Sequence, residues 1–187
     1  MSRLDISDTP IPGLKLVRAQ KLGDARGHLS RLFCAEELRQ AGWSTPVAQI
    51  NLTLTRQRGT VRGLHYQRPP DAEIKLVRCL RGEVWDVVVD LRSGSPTFLK
   101  WHAEVLSADN LVSLLIPQGC AHGFQALSDD VEMLYMHSAP HVPASEGGVS
   151  VSEPRLAIPW PLPITEMSSR DLAFPLLTKS FEGIALT

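Results

Sequence analysis

The residues best suited to chemistry gather first around His65, in the run RGLHYQ at positions 62 to 67. An imidazole can take up or return a proton near neutral pH, and the alternation of this run predicts a β-strand. Strict alternation puts Arg62 on the opposite strand face from His65, and Lys75 follows just beyond the next loop. A base and two cations could therefore gather around one cavity. The commoner alternatives are a hydrogen-bonded structural histidine and two solvated surface charges.

Two further side chains could serve as an acid and as the partner of a base, and each has a structural alternative. Tyr135 carries a phenol that can donate a proton, but it shares a predicted strand face with Met133 and His137, as a core tyrosine would. Asp171 ends the run SSRD at 168 to 171, which matches a capping box in which serine and aspartate satisfy the first amides of a helix. The local sequence leaves both alternatives open.

The histidines do not show metal-binding spacing. Jelly-roll barrels often carry an HxH pair followed by a glutamate, but Gln67 stands two positions after His65. His122 is isolated in GCAHGFQ, and His137 and His141 lie near a proline-rich turn without a carboxylate at ligand spacing. The chain also lacks GxGxxG, GxxxxGK and GxSxG. We therefore expect neither a metal nor another cofactor, and no serine nucleophile.

The elements that must position these residues are many short strands separated by turns. Alternation over 47–55 puts Gln49 and Asn51 on one strand face, so two amides point the same way. The segment 84–91 likewise separates a row of apolar residues from the polar Asp86. The remaining strand candidates, each bounded by turn residues, are 62–67, 74–80, 98–105, 111–116, 121–127 and 131–137.

Helices and termini add little to this pattern. The run AEELRQAG at 35–42 predicts a helix that ends at Gly42, and 168–177 suggests a second short helix. DARG at 24–27 predicts a turn between short strands, and the proline-containing residues 1–13 predict an N-terminal arm that could order on a partner subunit. Many short strands without intervening helices indicate an all-β barrel or sandwich of jelly-roll type.

Composition is that of an ordinary soluble globular protein. A length of 187 residues with 43% hydrophobic content predicts a single domain spanning 1–187. A net charge of −1 gives no bias toward nucleic acid or a membrane surface. The three cysteines lie far apart without a CxxC, which argues against a disulfide framework and against structural zinc. With no signal-peptide core and no long apolar run, the sequence predicts a cytoplasmic protein.

Five sequence blocks run through the chain in a fixed order. They are RGTVRGLHYQ at 58–67, KLVRCLRGEVWDVVVDLRSGSPTF at 75–98, LSADN at 106–110, IPQGCAHGFQALSDDVEMLY at 116–135 and the closing SSRDLAFPLL. Together they are similar to the dTDP-4-dehydrorhamnose 3,5-epimerase family, and the resemblance covers nearly the whole chain. It implies a metal-free cupin jelly roll that forms a homodimer and acts on a nucleotide-linked 4-keto-6-deoxy sugar.

The resemblance also implies roles for four residues. In such a reaction a base removes a proton made acidic by the 4-keto group, an enolate forms, and an acid returns a proton to the other face. His65 matches the base and Asp171 the carboxylate that orients the imidazole. Lys75 matches the lysine that stabilises the enolate oxygen, and Tyr135 matches the acid that reprotonates the carbon.

A second set of positions matches the family's substrate-binding residues. Arginines that hold the diphosphate correspond to Arg62 and to Arg26, the latter reaching in from the partner subunit. The family's polar pair near the nucleotide corresponds to Gln49 and Asn51, the two amides on one strand face. The complete matching set is Arg26, Gln49, Asn51, Arg62, His122 and Arg170.

The chain departs from the family pattern at positions expected around the nucleotide base and sugar. These are Arg31, Met136, Pro140, His141 and Val151. We hypothesise epimerisation at C3 and C5 of a nucleotide-linked 4-keto-6-deoxy sugar, in deoxysugar biosynthesis of the rhamnose type. Alternatives are epimerisation at only one carbon, a sugar-nucleotide-binding module without turnover, and a metal-dependent cupin oxygenase or isomerase.

Overall fold

Two β-sheets enclose the core in the computed structural model, which describes residues 2–186. The helices are α1 (Ala35–Arg39) and α2 (Ser169–Leu172), with one 3₁₀ turn at Pro143–Ser145, and no described helix is long and apolar enough to cross a membrane. The prediction of an all-β fold with a few short helices is confirmed. The strands are β1 (Leu4–Asp8), β2 (Lys15–Ala19), β3 (Lys21–Asp24), β4 (Gly27–Ser30), β5 (Gln49–Thr55), β6 (Val61–Gln67), β7 (Lys75–Arg81), β8 (Glu83–Asp90), β9 (Trp101–Ser107), β10 (Val112–Ile116), β11 (Cys120–Ala126), β12 (Val131–His137) and β13 (Glu146–Gly148).

The strands form two antiparallel sheets and one separate hairpin. The larger sheet has the order β1-β2-β10-β7-β12-β5, and the smaller one has the order β13-β6-β11-β8-β9. The turn predicted at 24–27 joins β3 to β4 in a two-stranded hairpin. Strands that are neighbours in a sheet are often distant in sequence, so residues from separate blocks meet in space.

Three apolar layers hold the sheets in place. Alternate residues of both sheets, such as Val77, Met133 and Phe124, are buried between them. The outer face of the larger sheet is covered by the N-terminal region and α1, which contribute the buried Trp43. The outer face of the smaller sheet is covered by the C-terminal segment, including Ile184. Apart from edge strand β5, both sheets are covered on their outer faces, and polar residues on the inner faces are the ones that can form an enclosed site.

Most predicted strands are present with small shifts at their ends. β12 spans the predicted 131–137 in full, and the segment predicted at 98–105 forms β9 three residues later. The reason is a turn at Thr97–Lys100, where Leu99 has a φ of 60° and the Lys100 N–H donates to Thr97 O. This turn delays the extended conformation that the apolar residues predict.

The prediction for the first helix is correct in its start and in its terminating glycine. α1 begins at Ala35, and Gly42 has a φ of 111°. The Trp43 N–H donates to Leu38 O and the Gly42 N–H to Arg39 O, the hydrogen bonds of a Schellman motif. The helix is shorter than the predicted 35–42 because its final residues form this capping turn.

Two predictions about the termini differ from the structure. Within the single chain, residues 4–8 form β1, which pairs with β2, and Leu4 is only 3% exposed. That residues 1–13 order on a partner subunit stays a prediction. The helix predicted at 168–177 ends at Leu172. Pro175 lacks a backbone N–H and disfavours helical geometry at the residue before it, which stops the helix early.

Candidate active site

A cavity of about 660 Å³ lies between the inner faces of the two sheets. The larger sheet contributes side chains from β5, β7 and β12, the smaller sheet contributes them from β6 and β11, and residues at α2 form part of the rim. Nine of the ten candidate residues line it, from segments far apart in the chain. They are Gln49, Asn51, Arg62, His65, Lys75, His122, Tyr135, Arg170 and Asp171.

His65 and Asp171 form a hydrogen-bonded pair at this rim. His65 Nε2 lies 2.9 Å from Asp171 Oδ1, while Asp171 Oδ2 accepts a hydrogen bond of 3.1 Å from the Gly63 N–H. The ring of Phe174 meets the imidazole edge-on with 5.5 Å between ring centroids. The imidazole is therefore held by a carboxylate on one side and an aromatic ring on another.

Asp171 takes part in the cap and in the pair with different atoms. Its backbone N–H donates to Ser168 Oγ at 3.1 Å, which is the serine half of the predicted capping box. Its carboxylate is directed to His65 and Gly63 instead. Burial alone would raise the pKa of the Asp171 carboxyl, but the hydrogen bond and charge of His65, together with the Gly63 N–H and the Ser168 hydroxyl, lower it to about 2. The carboxyl is ionised at neutral pH.

Arg62 lines the same cavity as His65, so the prediction of opposite faces is wrong. His122 is the strand partner of His65 and Phe124 that of Arg62, so three steps along β6 match two along β11. The extra residue is a β-bulge, which turns Arg62 back to the face of His65. There Arg62 Nε donates to Thr55 Oγ1 at 2.9 Å.

Gly63 allows this bulge. Its φ is 141°, and an added Cβ would lie 2.6 Å from the Cα of Gly123 on β11. Only glycine accommodates both the backbone conformation and this close approach. The sequence block that contains His65 therefore encodes the bulge as well as the base.

His122 and Asp86 form a second pair deeper in the cavity. His122 Nε2 lies 2.9 Å from Asp86 Oδ2 and 3.0 Å from Oδ1, and both residues are buried. Burial raises the pKa of the Asp86 carboxyl, and the charge and hydrogen bond of His122 offset only part of that effect. The carboxyl is thus harder to ionise than that of Asp171.

Tyr135 lies between two imidazoles. Its ring meets His122 edge-on at 6.1 Å and is stacked on His137 at 6.2 Å, measured between ring centroids. Burial raises the pKa of the phenol, and the nearby charge of Asp86 raises it further. The phenol therefore holds its proton at neutral pH and is available as a proton donor.

Lys75 is buried beside a carboxylate. Its Nζ lies 3.1 Å from Glu73 Oε1 and donates to the backbone oxygen of His65 at 3.4 Å. The other Glu73 oxygen accepts a hydrogen bond of 2.7 Å from His137 Nδ1. Three ionisable side chains thus form a compact cluster on the wall of the cavity.

Arg170 lies at the rim beside the proposed base. Its Nη2 is 3.1 Å from His65 Nε2, and its Nη1 donates to Glu146 Oε1 at 3.0 Å. Glu146 in turn has its Oε2 at 3.5 Å from His141 Nε2. A row of charged side chains thus runs along the rim from His65 to His141.

Arg26 is the one candidate that does not line the cavity within a single chain. It lies between β3 and β4 with its side chain 89% exposed, and its Nη2 lies 2.6 Å from Asp24 Oδ2. Any contact with the site would have to be made to another subunit.

Within a single chain, the departures from the family pattern are spread over the fold. Met136 is buried in the outer layer of the larger sheet, and Val151 is buried outside the smaller sheet. Arg31 pairs with Glu37 at 2.5 Å, and the Pro140 backbone oxygen accepts from Gln67 Nε2 at 3.2 Å. Of the five positions, the cavity lining includes only His141.

Sequence reasoning missed the partners of the candidate residues. Asp86 accepts from His122, Glu73 binds Lys75 and His137, and Glu146 binds Arg170. A weak signal existed for Asp86, because it is an acid on the inner face of a strand rich in valine. The others are brought together by strand pairing and loop paths, which local spacing does not reveal. Within residues 2–186, no group of three or more histidine, cysteine or acidic residues has the geometry to hold a metal ion.

The fold and cavity define an all-β barrel of the cupin type whose site is equipped for proton transfer. The family model described as dTDP-4-dehydrorhamnose 3,5-epimerase matches residues 8–179. The chain belongs to this family, whose members are isomerases. The family, the fold and the enzyme class predicted from the sequence are thereby confirmed.

Individual relatives agree with the family match. A dTDP-4-dehydrorhamnose 3,5-epimerase of Sinorhizobium fredii is 41% identical over 168 residues, covering 89% of this chain and 86% of its own. The crystal structure of the enzyme of that name from Bacillus anthracis, with TDP and PPi bound, has a TM-score of 0.90 at 36% identity and covers 93% of this chain and 99% of its own. The epimerase of Legionella pneumophila in complex with dTDP-4-keto-L-rhamnose has a TM-score of 0.88 at 38% identity, with 92% of each chain covered.

One relative carries a narrower name. A dTDP-4-dehydrorhamnose 3-epimerase of Streptomyces niveus is 36% identical over 171 residues, covering 91% of this chain and 82% of its own. The similarity of the chains therefore extends to an enzyme named for inversion at a single carbon.

Proposed function

We propose that the protein inverts C3 and C5 of a dTDP-linked 4-keto-6-deoxy sugar without a cofactor. The observation that carries this proposal is the meeting of the His65–Asp171 pair, the Lys75 ammonium and the protonated Tyr135 phenol around one cavity. A site that only bound a nucleotide sugar would not require a base and an acid on different walls. The solved relatives with TDP or a dTDP-sugar bound support a ligand of this class.

The proposed reaction begins with proton removal by His65. Because His65 Nε2 donates to Asp171, the neutral ring has its lone pair on Nδ1, which takes the proton from the carbon beside the ketone. The C–H electron pair forms the C=C bond of an enolate, and the negative charge moves to the C4 oxygen. The ionised Asp171 stabilises the resulting imidazolium.

Lys75 and Tyr135 complete the proposed cycle. The Lys75 ammonium stabilises the negative charge on the enolate oxygen. Electrostatic stabilisation of this kind is often the largest single contribution to the rate enhancement of an enzyme. The Tyr135 phenol then donates a proton to the opposite face of the same carbon. The phenolate and the imidazolium exchange protons with water, which restores both groups before the second carbon reacts.

The proposed binding mode places the diphosphate at Arg62 and the nucleotide near Gln49 and Asn51. We also propose a homodimer in which Arg26 of one subunit reaches the site of the other. A row of exposed apolar residues on β5, an edge strand, supports such an interface: Ile50 is 58%, Leu52 61% and Leu54 39% exposed. Sedimentation equilibrium is expected to give twice the chain mass, and Leu52→Glu is expected to give the monomer.

The direct test is solvent exchange at the sugar. The purified protein is incubated with dTDP-4-keto-6-deoxyglucose in deuterated water, and C3 and C5 are followed by NMR. We expect deuterium at both carbons together with inversion. If deuterium enters neither C3 nor C5, in protein that still binds dTDP by calorimetry, the non-catalytic binding module is favoured.

A second candidate is inversion at one carbon only. It is supported by the relative named as a 3-epimerase and by His141, the departure from the family pattern that lines the cavity. The same experiment separates the two reactions, because a mono-epimerase would incorporate deuterium with inversion at a single carbon.

A further inference from the structure

We propose that Glu73 and His137 are positioning residues for Lys75, holding its ammonium where negative charge develops on the substrate. The inference rests on the proposed function, because it assigns the origin of the oxyanion-stabilising charge in that reaction. Neither residue belongs to the catalytic set predicted from the sequence. The structure places both on the cavity wall with the lysine.

The Glu73 carboxylate binds both Lys75 and His137. This side chain is almost fully buried, and its two oxygens bind different partners, Lys75 Nζ at 3.1 Å and His137 Nδ1 at 2.7 Å. Burial raises the pKa of the Glu73 carboxyl, but the hydrogen bond of His137 and the charge of Lys75 more than offset it, so the pKa is lowered overall. The carboxylate is thus an ionised bridge between the two basic side chains.

Strand pairing explains why the bridge forms here. His137 on β12 is the direct strand partner of Lys75 on β7, so their side chains are neighbours on the inner face. The ends of these strands are fastened by Ser138, whose N–H donates to Ile74 O at 3.0 Å and whose Oγ accepts from the Ile74 N–H at 2.7 Å. Glu73 therefore enters the cavity at a fixed distance from both partners.

His137 has a defined orientation. Because its Nδ1–H donates to Glu73, the neutral ring has an acceptor at Nε2, and Asn51 Nδ2 lies 3.4 Å from that atom. The ring is also stacked on Tyr135. A chain of contacts thus runs from a substrate-facing amide, through His137 and Glu73, to the lysine.

The division of the carboxylate between two donors has a chemical consequence. A buried lysine paired with a whole carboxylate would have much of its charge compensated, whereas a lysine without one would be mobile and harder to keep protonated. By binding one Glu73 oxygen, His137 leaves a single oxygen for Lys75. The ammonium is oriented by Glu73 and the His65 carbonyl and retains one N–H group that can donate to an enolate oxygen.

Three substitutions separate this role from a merely structural one. Glu73→Gln keeps an oxygen that can accept from His137 but loses the negative charge that binds Lys75. His137→Phe keeps a ring against Tyr135 but loses the donor, and His137→Asn keeps a donor near the position of Nδ1. Glu132→Gln is the matched control, since Glu132 lies on the same strand and pairs with Arg81 at 3.9 Å outside the cavity.

We expect kcat to fall about 10- to 100-fold in Glu73→Gln and about tenfold in His137→Phe, with KM changed less than about threefold, because the interaction acts on developing charge. The loss in His137→Asn is expected to be smaller than in His137→Phe. Glu132→Gln is expected to have the same kcat and KM as the parent. Equal kcat in the parent, Glu73→Gln and His137→Phe would overturn the inference.

A double-mutant cycle tests whether both residues act through the lysine. In a Lys75→Met background, Glu73→Gln is expected to lower kcat by less than about twofold, because there is no ammonium left to position. The same fold-loss with and without Lys75 would show a structural effect and overturn the inference. Melting curves of all variants identify any that are unfolded.

A readout without substrate keeps this inference separate from the proposed function. In protein labelled with ¹⁵N at lysine side chains, a hydrogen-bonded buried ammonium should give a slowly exchanging signal that Lys75→Met removes. We expect this signal in the parent, in His137→Asn and in His137→Phe, where Glu73 still binds the ammonium, and its loss in Glu73→Gln. A signal that persists in Glu73→Gln would contradict the positioning role, whereas failure of the parent to exchange substrate protons would contradict only the proposed function.

Discussion

Two histidine–aspartate pairs have their histidines on neighbouring strands that line one cavity, and their surroundings differ although their residue types are the same. The imidazoles of His65 and His122 are direct strand partners across β6 and β11. The pair His65–Asp171 lies at the rim, where the His65 side chain is 22% exposed. The pair His122–Asp86 is buried, with side-chain exposures of 5% and 0%.

The carboxyl groups respond to these surroundings in opposite directions. Both are penalised by burial, but Asp171 accepts hydrogen bonds from an imidazole and a backbone N–H and has a pKa lowered to about 2. The pKa of Asp86 is raised, because burial outweighs the effect of His122. The comparison shows that donors around a carboxylate, rather than the identity of its partner, set its charge. The rim pair is therefore suited to support an imidazolium during proton transfer, and the buried pair is suited to hold His122 in place.

Replacing each carboxylate by an amide is expected to give the largest difference in kcat between the two pairs. We expect Asp171→Asn to lower kcat about 10²- to 10³-fold, since the ionised carboxylate that orients His65 and supports its positive form is lost. Asp86→Asn is expected to lower kcat about tenfold, because an amide oxygen can still accept from His122 Nε2. Single-turnover inversion and melting curves give the measurement. Equal losses in the two variants would remove the distinction between the pairs.

A methyl group at Gly63 is expected to disturb both pairs at once. Gly63 donates to Asp171, and an added Cβ would lie 2.6 Å from Gly123 Cα and 3.2 Å from His122 O. We expect Gly63→Ala to cost about 2 to 4 kcal/mol of unfolding free energy in urea titrations. Gly94→Ala is the matched control, because Gly94 also has a positive φ of 72° but has open space around its Cβ position. Similar losses of unfolding free energy in both variants would mean that the positive φ alone, without the close approach to Gly123, requires glycine at position 63.

Acid is expected to destabilise the rim pair and not the buried one. Because the pKa of Asp171 is lower in the folded protein than its usual value of 3.8, the folded state binds fewer protons. Its contribution, on the order of 2 kcal/mol, is present above pH 3.8 and is lost as the pH falls through about 2. The raised pKa of Asp86 has the opposite sign, so its ionised form costs stability above its unfolded pKa. Urea titrations from pH 6 to pH 2 should show a shallower acid loss in Asp171→Asn than in the parent, and identical slopes would contradict this account.

Removing the cap hydroxyl should separate the two roles of Asp171. Ser168→Ala deletes the acceptor for the Asp171 N–H but leaves the carboxylate on His65. We expect a loss of about 0.5 to 2 kcal/mol in unfolding free energy, with kcat reduced less than about threefold. A loss of kcat as large as that of Asp171→Asn would show that the cap, rather than the carboxylate, governs the site.

Much of the barrel could be predicted because its strands alternate in pattern and end at turn residues. β12 and the face shared by Gln49 and Asn51 follow directly from period-two alternation. Alternation failed at Arg62 because one extra residue in β6 reverses the side-chain direction, and no local pattern counts residues on the partner strand. β1 was missed because its residues are mostly polar and its pairing with β2 is not visible in its own sequence.

The site was predictable in its members but not in its connections. The resemblance placed Lys75, Tyr135 and Asp171 in one functional group, and the structure brings them to one cavity. Glu73 had no motif to mark it, since its importance comes from His137 on a strand more than sixty residues away. Burial, which determines whether a carboxyl is ionised, depends on packing that the sequence specifies only through the whole fold.

His65, and not His122, is proposed to remove the proton from the sugar. The most direct test compares His65→Asn with His122→Asn for deuterium exchange at C3 and C5 of the 4-keto sugar nucleotide, with dTDP affinity measured by calorimetry. We predict that His65→Asn loses exchange by about 10³-fold or more while dTDP affinity stays within about threefold, and that His122→Asn loses exchange by only about tenfold. Exchange that survives in His65→Asn and disappears in His122→Asn would contradict the assignment.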